Sequence, residues 1–393
     1  MDRSDLTIIP PDTAWLKNAP LQSVCRAISI EGAKIYFVGG CVRDAILGVQ
    51  GSDIDLATDA TPHDVTRLAR AADFKVVPTG IEHGTVTVIA NGTGYEITTF
   101  RKDVKTHGRR AEVEFCADIA SDAARRDFTL NALYATPQGE ILDPLGTGVE
   151  DCLARRIKFI EDAGARIRED YLRILRYFRF HAWYADREQG FDADALDAVA
   201  QNAQGLESLS GERIGAEMRK LLSAPDPTRV VATMQQTGTL QRILPGSDSA
   251  MLFPVVHLEA RLNAPPDWRL RLAALDGDAV STRLRLSRRD AEVLDRLRAA
   301  MGDMMPVAEV AYRYGVEIAS GALVLRAVLA NQPLEPAALI PLETAAQAQF
   351  PVKAKDLMPG LSGKALGERL DALERHWVAS DFQLTRDELM TLE

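Results

Sequence analysis

The chain has 393 residues, of which 46 are Lys or Arg and 56 are Asp or Glu, so its formal net charge is −10. That length exceeds what one compact core usually supports and predicts two to four structural units. With 46% hydrophobic residues and no long uncharged apolar run, the composition is typical of a soluble globular protein and predicts no membrane span. The acidic total argues against wholesale coating of nucleic acid, although it is compatible with a local basic face.

The four cysteines are Cys25, Cys41, Cys116 and Cys152, and they form no C-x-x-C pair. The spacing therefore supports neither a zinc ribbon nor a disulfide framework. We expect a reducing, cytoplasmic location. The sequence gives no sign of an obligate protein partner.

The start of the chain mixes strand and helix signals. An apolar run at 34–38 ends at Gly39-Gly40 and is followed by a helical stretch at 41–47. Polar and apolar residues then alternate at 53–57, the period of a half-buried strand. We expect a strand, a glycine turn, a helix and a second strand in this order.

The next elements carry clear turn and cap signals. Thr61 before Pro62 predicts a helix that begins there and runs to residue 71 or 72. Strands at 84–90 and 95–101 flank the turn around Asn91-Gly92. A second hairpin is predicted at 133–142, around Gln138-Gly139.

After Asp151 the strand signals fade. Leucine, alanine and arginine recur at helical spacing in four long stretches, 166–184, 211–223, 228–243 and 267–301. The coarse prediction is an α+β head followed by an all-helical remainder.

Two carboxylates, Asp53 and Asp55, lie two residues apart on a predicted strand, so both side chains would project from one face. Carboxylates that close repel each other unless a cation lies between them or one of them binds a proton. A pair of Mg²⁺ ions would relieve the repulsion and activate a hydroxyl for attack on a nucleoside triphosphate. The alternative is an exposed strand edge whose charges resist aggregation.

The glycine turn upstream favours the catalytic alternative. Gly39 and Gly40 stand between a strand and a helix N-terminus, where backbone N–H groups bind phosphate. Arg43 would lie in the first turn of that helix and could clamp triphosphate oxygens. Such a turn, an arginine and a D-x-D about ten residues later form a rare combination.

The segment Gly39-Gly40-Cys41-Val42-Arg43-Asp44, together with Asp53-Ile54-Asp55, resembles the first motif of the class II tRNA nucleotidyltransferase and bacterial poly(A) polymerase family. The resemblance implies a polymerase-β-like nucleotidyltransferase head with a mixed five-stranded sheet, followed by an all-helical neck, body and tail. It also implies that Asp53 and Asp55 are catalytic and bind two Mg²⁺ ions, and that Gly40 and Arg43 bind the nucleotide. Glu96 on the neighbouring predicted strand is a third carboxylate whose role, ligand or support, stays open.

A second motif resemblance lies at Arg125-Arg126-Asp127-Phe128-Thr129-Leu130-Asn131-Ala132, which is similar to the family pattern R-R-D-F-T-x-N-A. From the residues alone, the alternative is a helix end with solvated arginines. The resemblance implies that Arg126 contacts the incoming nucleotide and that Asp127 and Asn131 act near the sugar. The polar stretch 101–115 resembles the flexible loop of the family.

Asp170, Arg173, Arg176 and Arg179 are spaced by three and would form a ribbon along one helix. The plain alternative is an amphipathic helix with surface ion pairs. The segment Glu169-Asp170-Tyr171-Leu172-Arg173 resembles the E-D-x-x-R motif of the family. This implies that Asp170 and Arg173 read the base, and that Arg176 and Arg179 contact nucleotide phosphate or ribose.

These resemblances imply an enzyme that adds C, C and A to the 3′ end of tRNA from CTP and ATP. The alternatives are a poly(A) polymerase, an enzyme that adds only CC or only A, and a non-catalytic RNA-binding protein. We expect a head at 1–152, a neck at 153–224, a body at 225–340 and a tRNA-binding tail at 341–393. Eight basic and four acidic residues at 153–181 give a local charge of +4, which favours an RNA-binding face.

Overall fold

The computed structural model describes residues 7–49, 51, 53–107, 110–303, 305–358 and 360–392, with side chains outside 103–113. The chain divides into two compact units. The first comprises Met1–Glu217 with Gln236–Ile243, and the second comprises Met218–Gln235 with Leu244–Glu393.

The first unit contains the strands and the N-terminal helices. Its strands are β1 (Ile35–Val38), β2 (Asp55–Thr58), β3 (Lys75–Gly80), β4 (Thr85–Ala90), β5 (Thr93–Thr99), β6 (Arg101–His107), β7 (Arg110–Phe115), β8 (Tyr134–Ala135) and β9 (Ile141–Leu142). Its helices are α1 (Ala19–Ser29), α2 (Gly40–Leu47), α3 (Pro62–Ala71), α4 (Ile119–Ala124), α5 (Gly148–Leu153), α6 (Ala163–Glu169), α7 (Leu172–Tyr184) and α8 (Ala193–Asn202).

The rest of the chain is helical. Helices α9 (Gly211–Leu222), α10 (Thr228–Gln236) and α11 (Thr239–Ile243) carry the chain between the units. The second unit continues with α12 (Leu252–Arg261), α13 (Trp268–Leu275), α14 (Val280–Arg283), α15 (Arg288–Gly302), α16 (Val307–Tyr314), α17 (Val316–Leu329), α18 (Ile340–Gln347), α19 (Ala354–Leu357), α20 (Gly363–Ala379) and α21 (Arg386–Met390). Short 3₁₀ helices lie at Ile81–His83, Thr129–Asn131, Ala203–Ser208 and Pro336–Leu339.

The described strands of the first unit form one mixed sheet in the order β3-β4-β5-β2-β1-β8-β9 and a separate β6-β7 hairpin. Strands β2 and β5 are parallel, and the other paired neighbours are antiparallel. The α+β prediction is confirmed, but the expected five strands are seven. The short β8-β9 hairpin extends one edge, and β3, which contains Pro78, forms the other edge, where a missing N–H is tolerated.

Local signals explain several elements. Thr61 accepts a hydrogen bond from the Asp64 N–H and caps α3, as predicted. Asn91 and Gly92 both have positive φ, 49° and 80°, the pair of values that a tight type I′ hairpin turn requires between β4 and β5. The stretch that resembles the flexible loop of the family pairs as β6 with β7, from Arg101 with Phe115 to His107 with Arg110, with a shift of register between Asp103 and Lys105.

Each unit has its own apolar clusters. One cluster beneath the sheet comprises Val38, Ala57, Phe100, Ala123, Ala132, Tyr134 and Ile160. A cluster near the C-terminus comprises Val352, Leu373, Trp377, Val378 and Leu389.

The second unit also buries an ion pair. Arg271, 1% exposed, donates to Glu259 at 2.8 Å and to the carbonyl oxygens of Leu222 and Ala224 at 2.7 and 2.5 Å. One guanidinium therefore satisfies the carbonyls at the C-terminal end of α9.

All four cysteines are free. Cys25, Cys41 and Cys152 are buried, and Cys116 is half-buried just after β7. Burial raises the pKa of the Cys41 thiol to about 11 and those of Cys25 and Cys152 to about 12. In the described parts of the chain, no helix combines the length and apolarity that crossing a bilayer requires.

Candidate active site

Asp55 lies at the first position of β2, directly opposite Glu96 of the parallel strand β5. Both side chains are exposed to solvent. The structure thus places Glu96, whose role the sequence left open, beside one of the two predicted catalytic carboxylates.

The prediction that Asp53 and Asp55 share a strand is wrong for Asp53, which lies two residues before β2 begins. The reason is the partner strand. Val38, the last residue of β1, pairs with Asp55, and the chain then turns away at Gly39, so the ladder has no continuation toward Asp53. Asp53 nonetheless stays close enough for its charge to act on Asp55.

Protein atoms packed around the Asp55 carboxyl raise its pKa, and the charges of Glu96 and Asp53 raise it further, while Arg126 opposes them. This mutual repulsion is the condition that a bound cation relieves, and carboxylate oxygens are the ligands that Mg²⁺ prefers. Among the described residues, no three His, Cys, Asp or Glu side chains stand close enough together to enclose a metal ion. The donor set therefore fits a cation held by one or two carboxylates together with substrate oxygens.

The glycine turn has the backbone geometry that the sequence predicted. Gly39 has φ 72° and ψ −118°, and a Cβ built there would lie 3.5 Å from Arg126 Nη1 and from the Asn131 carbonyl oxygen. Helix α2 begins at Gly40, and no described side chain caps it. Its first N–H groups are therefore available to an anion.

Arg43, predicted to bind the nucleotide, is only 4% exposed. Its guanidinium donates to Asn131 Oδ1 at 2.6 Å, Tyr184 Oη at 2.8 Å and Asp44 Oδ1 at 2.8 Å. The guanidinium carbon lies 3.9 Å from the centre of the Tyr184 ring. In this structure Arg43 joins α2 to the end of α7 and does not face open solvent.

Arg126 lies beside the glycine turn, and hydrogen bonds to Asp122 and Tyr134 hold the other side of its guanidinium. Its Nη2 donates to Asp122 Oδ2 at 2.9 Å and its Nε to Tyr134 Oη at 3.1 Å. The Tyr134 hydroxyl in turn donates to Asp122 Oδ2 at 2.6 Å. Sequence reasoning missed Asp122. The available signal was an acid four residues before an arginine on a helical stretch.

Asp127 and Asn131 are both 7% exposed and connect the motif to α7. Asp127 Oδ1 accepts from Asn131 Nδ2 at 3.0 Å, and Oδ2 accepts from Arg176 Nε at 2.7 Å. Burial alone would raise the pKa of Asp127, but Arg176, Asn131 and the Phe128 N–H lower it to about 2. Asp127 is thus a buried anion that orients its neighbours.

The single helix predicted at 166–184 is wrong, because α6 ends at Glu169 and α7 begins at Leu172. Asp170 between them has an extended backbone, and its Oδ1 accepts a hydrogen bond from the Leu172 N–H at 3.1 Å. Its Oδ2 accepts from Arg213 of α9 at 2.6 Å. Asp170 therefore precedes the arginine ribbon and does not belong to it.

Arg173, Arg176 and Arg179 do follow each other along α7. Arg173 donates to Glu169 Oε2 at 2.5 Å and to the Arg166 carbonyl at 2.8 Å. Arg179 donates to Glu217 of α9 at 2.6 Å. Between the described side chains of Asp170 and Arg173 we see no hydrogen bond, so the predicted base-reading pair has separate partners here.

Ion pairing also changes the predicted basic face at 153–181. Three of its arginines pair with acids outside that window, Arg156 with Asp151, Arg176 with Asp127 and Arg179 with Glu217. Much of the local charge of +4 is therefore neutralised within the protein.

Residues 35–158 match the family described as the poly A polymerase head domain, and residues 191–251 match a probable RNA and SrmB-binding site of polymerase A. A mouse protein named CCA tRNA nucleotidyltransferase 1, mitochondrial, is 31% identical, with 97% of this chain and 91% of the mouse protein aligned. This chain belongs to the CCA tRNA nucleotidyltransferase family.

Bacterial members of the family align equally well. The CCA-adding enzyme of Geobacillus kaustophilus is 33% identical over 93% of this chain and 94% of its own length. The crystal structure of the Bacillus stearothermophilus CCA-adding enzyme in complex with CTP has a TM-score of 0.74 and 30% identity, and covers 92% of this chain and 93% of that one. The family predicted from the motifs is confirmed, and with it the class of enzyme, a nucleotidyltransferase.

Proposed function

We propose that this CCA tRNA nucleotidyltransferase family member adds C, C and A to tRNA ends that lack them, with CTP and ATP as substrates. The observation that carries the proposal is the start of β2, where Asp55 lies opposite Glu96 and where Arg126, beside the glycine turn, acts electrostatically on the Asp55 carboxyl. Similarity over nearly the whole chain to proteins named as CCA-adding enzymes supports the same conclusion.

Asp53 and Asp55 are the proposed ligands of two Mg²⁺ ions. Glu96, which lies opposite Asp55, would support these two aspartates. Bound there, Mg²⁺ would supply a metal-activated 3′-hydroxyl and neutralise charge on the triphosphate. The tRNA 3′ oxygen would form a bond to the α-phosphorus, and the bond to the departing pyrophosphate would break. The exposed carboxylates leave the start of β2 open to both substrates.

The nucleotide would be held from two sides. Gly40 offers the N–H groups at the start of α2, and Arg126 faces the same turn through Nη1. Arg43, Arg176 and Arg179 would act indirectly, because they fix the positions of α2 and α7. The direct nucleotide contact that the motifs imply for these three arginines is therefore reduced to a supporting role. Each is engaged by protein groups, Arg43 by Asn131, Arg176 by Asp127 and Arg179 by Glu217.

Asp170 and Arg173 are the proposed readers of the base. Cytosine and adenine each present an exocyclic amino donor beside a ring-nitrogen acceptor, and one acid with one arginine accepts both. Guanine presents the reverse pattern. To read a base, Asp170 would have to give up its contact with Arg213, and Arg173 its contact with Glu169. Each side chain would then form hydrogen bonds to the base edge.

The division into head, neck, body and tail at 152, 224 and 340 remains part of the proposal, with the tail binding tRNA. A further basic surface lies in the second unit. Arg283, Arg288 and Arg289 are exposed, and their guanidinium groups have no hydrogen-bond or ion-pair partner within the described part of the chain. Two of them open α15, where the helix dipole favours anions, so a phosphate backbone is a fitting partner.

The deciding experiment is single-nucleotide-resolution extension of a tRNA transcript without CCA. We expect two additions with CTP alone and one more when ATP is supplied with it. A long ladder with ATP alone would indicate a poly(A) polymerase, and a product that stops at CC or needs CC already present would indicate a partial enzyme. No extension would favour a non-catalytic RNA-binding protein.

A matched set of variants assigns the chemistry in that assay. Asp53→Asn with Asp55→Asn should abolish incorporation while the thermal melt stays near that of the parent, because both side chains are exposed. Asp12→Asn, another exposed aspartate of the first unit, serves as the control and should extend normally. Retained turnover in the double variant would remove the metal assignment.

The compartment stays a prediction. The sequence favours a cytoplasmic location, whereas the similar mouse protein is named as mitochondrial. Cell fractionation with a tagged chain decides between them.

A further inference from the structure

Asp122 is the most heavily engaged carboxylate around the site. Its side chain is 1% exposed on the short helix α4. Oδ1 accepts from Arg125 Nη2 at 2.7 Å and from the Arg101 N–H at 3.3 Å. Oδ2 accepts from Arg126 Nη2 at 2.9 Å and from the Tyr134 hydroxyl at 2.6 Å.

These contacts fix the orientation of Arg126. Two of its three nitrogens, Nη2 and Nε, are bound by Asp122 and Tyr134, and its guanidinium carbon lies 5.3 Å from the centre of the Tyr134 ring. The third nitrogen, Nη1, lies on the side of Gly39, where an added Cβ would approach it to 3.5 Å. The guanidinium therefore has a protein-bound side and a side that faces the anion-binding turn.

Asp122 is ionised and is shared by two arginines. Arg125 and Arg126 carry two positive charges and share the single carboxylate of Asp122. Burial would raise the pKa of Asp122, but the two arginines and the Tyr134 hydroxyl lower it to about 2, so the carboxylate stays ionised. The ionised Asp122 therefore holds Arg126 through a charge-assisted hydrogen bond.

The main chain of the same two arginines is fixed independently. Arg166, 6% exposed on α6, donates to the carbonyl oxygens of Arg125 and Arg126, the latter at 2.6 Å. Removal of the Asp122 carboxylate would thus release the Arg126 side chain without freeing its backbone. This separates orientation of the guanidinium from folding of the segment.

We propose that Asp122 is a positioning residue for nucleotide binding, which with the Tyr134 hydroxyl aims Nη1 of Arg126 at the triphosphate. The proposal rests on the nucleotidyltransferase function proposed above. Asp122 touches no substrate itself. It sets the direction of the guanidinium of a residue that does.

The test compares Asp122→Asn and Tyr134→Phe with Arg125→Gln, which removes the other arginine on the same carboxylate. Steady-state kinetics would give KM for CTP and KM for tRNA separately, together with inhibition by pyrophosphate. We expect Asp122→Asn to raise KM for CTP roughly ten-fold, on the scale of one charge-assisted hydrogen bond. Tyr134→Phe should raise it less, and KM for tRNA should stay unchanged in both.

A double-mutant cycle separates positioning from folding. In an Arg126→Gln background, Asp122→Asn should add little to the loss, because the residue it orients is gone. Equal effects of Asp122→Asn with and without Arg126, or an equal rise in KM for CTP in Arg125→Gln, would overturn the proposal. If the wild-type chain adds no nucleotide at all, the proposed function fails first. If Asp122→Asn does not fold, Tyr134→Phe carries the same comparison.

Discussion

The buried Asp127 and the partly exposed Arg176 form an ion pair that joins the segment after α4 to the helix α7, with Nε to Oδ2 at 2.7 Å. Through Asn131 the same carboxylate is linked to Arg43 of α2. The glycine turn and the arginine helix are thus parts of one hydrogen-bonded network. We expect changes at either end to be felt at the other.

The Asp127 pair makes an acid-sensitivity prediction. The pKa of Asp127 in the folded chain is about 2, below its ordinary value, so its stabilising effect is complete above the ordinary value and is lost as pH falls toward 2. The free energy of unfolding of the wild type should drop by about 1 kcal/mol more than that of Asp127→Asn between about pH 5 and about pH 3. Urea denaturation at both pH values measures this. Parallel losses in the two proteins would contradict the assignment.

Asp170 both caps α7 and is proposed to read the base, so the substitution made there must remove the charge and keep the cap. Asp170→Ala would remove the cap, at about 1 kcal/mol, whereas Asn caps about as well as Asp. We therefore expect Asp170→Asn to keep the thermal melt and to reduce the preference for CTP over UTP and GTP. Incorporation assays with each nucleotide alone give the ratios.

The partner of Asp170 provides the control for this prediction. Arg213→Gln removes the 2.6 Å contact but leaves the carboxylate in place, so base preference should change less than in Asp170→Asn. Unaltered selectivity in Asp170→Asn, with normal tRNA binding, would refute a base-reading role.

The arginine surface of the second unit predicts a salt effect. Replacement of Arg283, Arg288 and Arg289 by Gln should weaken tRNA binding and flatten the dependence of log Kd on log salt, by about one unit of slope for each lost phosphate contact. Lys17, Arg26 and Arg70 are exposed cations of the first unit and serve as a charge-matched control triple. An equal loss of slope in both triple variants would show that the salt effect depends only on net charge.

Arg271 makes a stability prediction. In Arg271→Met the buried Glu259 and the carbonyls of Leu222 and Ala224 would lose their donor, which should cost about 3–5 kcal/mol. Arg269→Met, two residues away on the same helix, removes a more exposed guanidinium and should cost about 1 kcal/mol or less. Chemical denaturation compares the two, and similar midpoints would contradict the distinction.

Sequence reasoning succeeded where the signal is local. The Thr61 cap and the Asn91-Gly92 turn depend on a few adjacent residues, and both formed as predicted. The family motifs identified the segments of the site for a related reason, since each motif is contiguous. Arg126 lies close enough to Asp55 for its charge to lower the pKa of that carboxyl, although 70 residues separate the two along the chain.

The predictions that were wrong have physical causes that the spacing of residues along the sequence does not reveal. Charged residues recur at every third position from Asp170 to Arg179. However, α6 ends before Asp170 and α7 begins after it, and the Asp170 carboxylate accepts a hydrogen bond from the Leu172 N–H. Arg43 was expected to face the nucleotide, yet Tyr184, distant in sequence, covers it. Asp53 fell outside β2 because its potential partner strand turned away at Gly39. Each outcome depends on a tertiary neighbour.

The distribution of the thiols has a practical consequence. Three of the four cysteines are buried, and only Cys116, at the foot of the β6-β7 hairpin, presents part of its side chain to solvent. A maleimide dye offered to the native chain should therefore attach at one place, without prior removal of the other cysteines. That label would sit directly after the β6-β7 hairpin, and its emission would report changes in the surroundings of Cys116 during successive C and A additions.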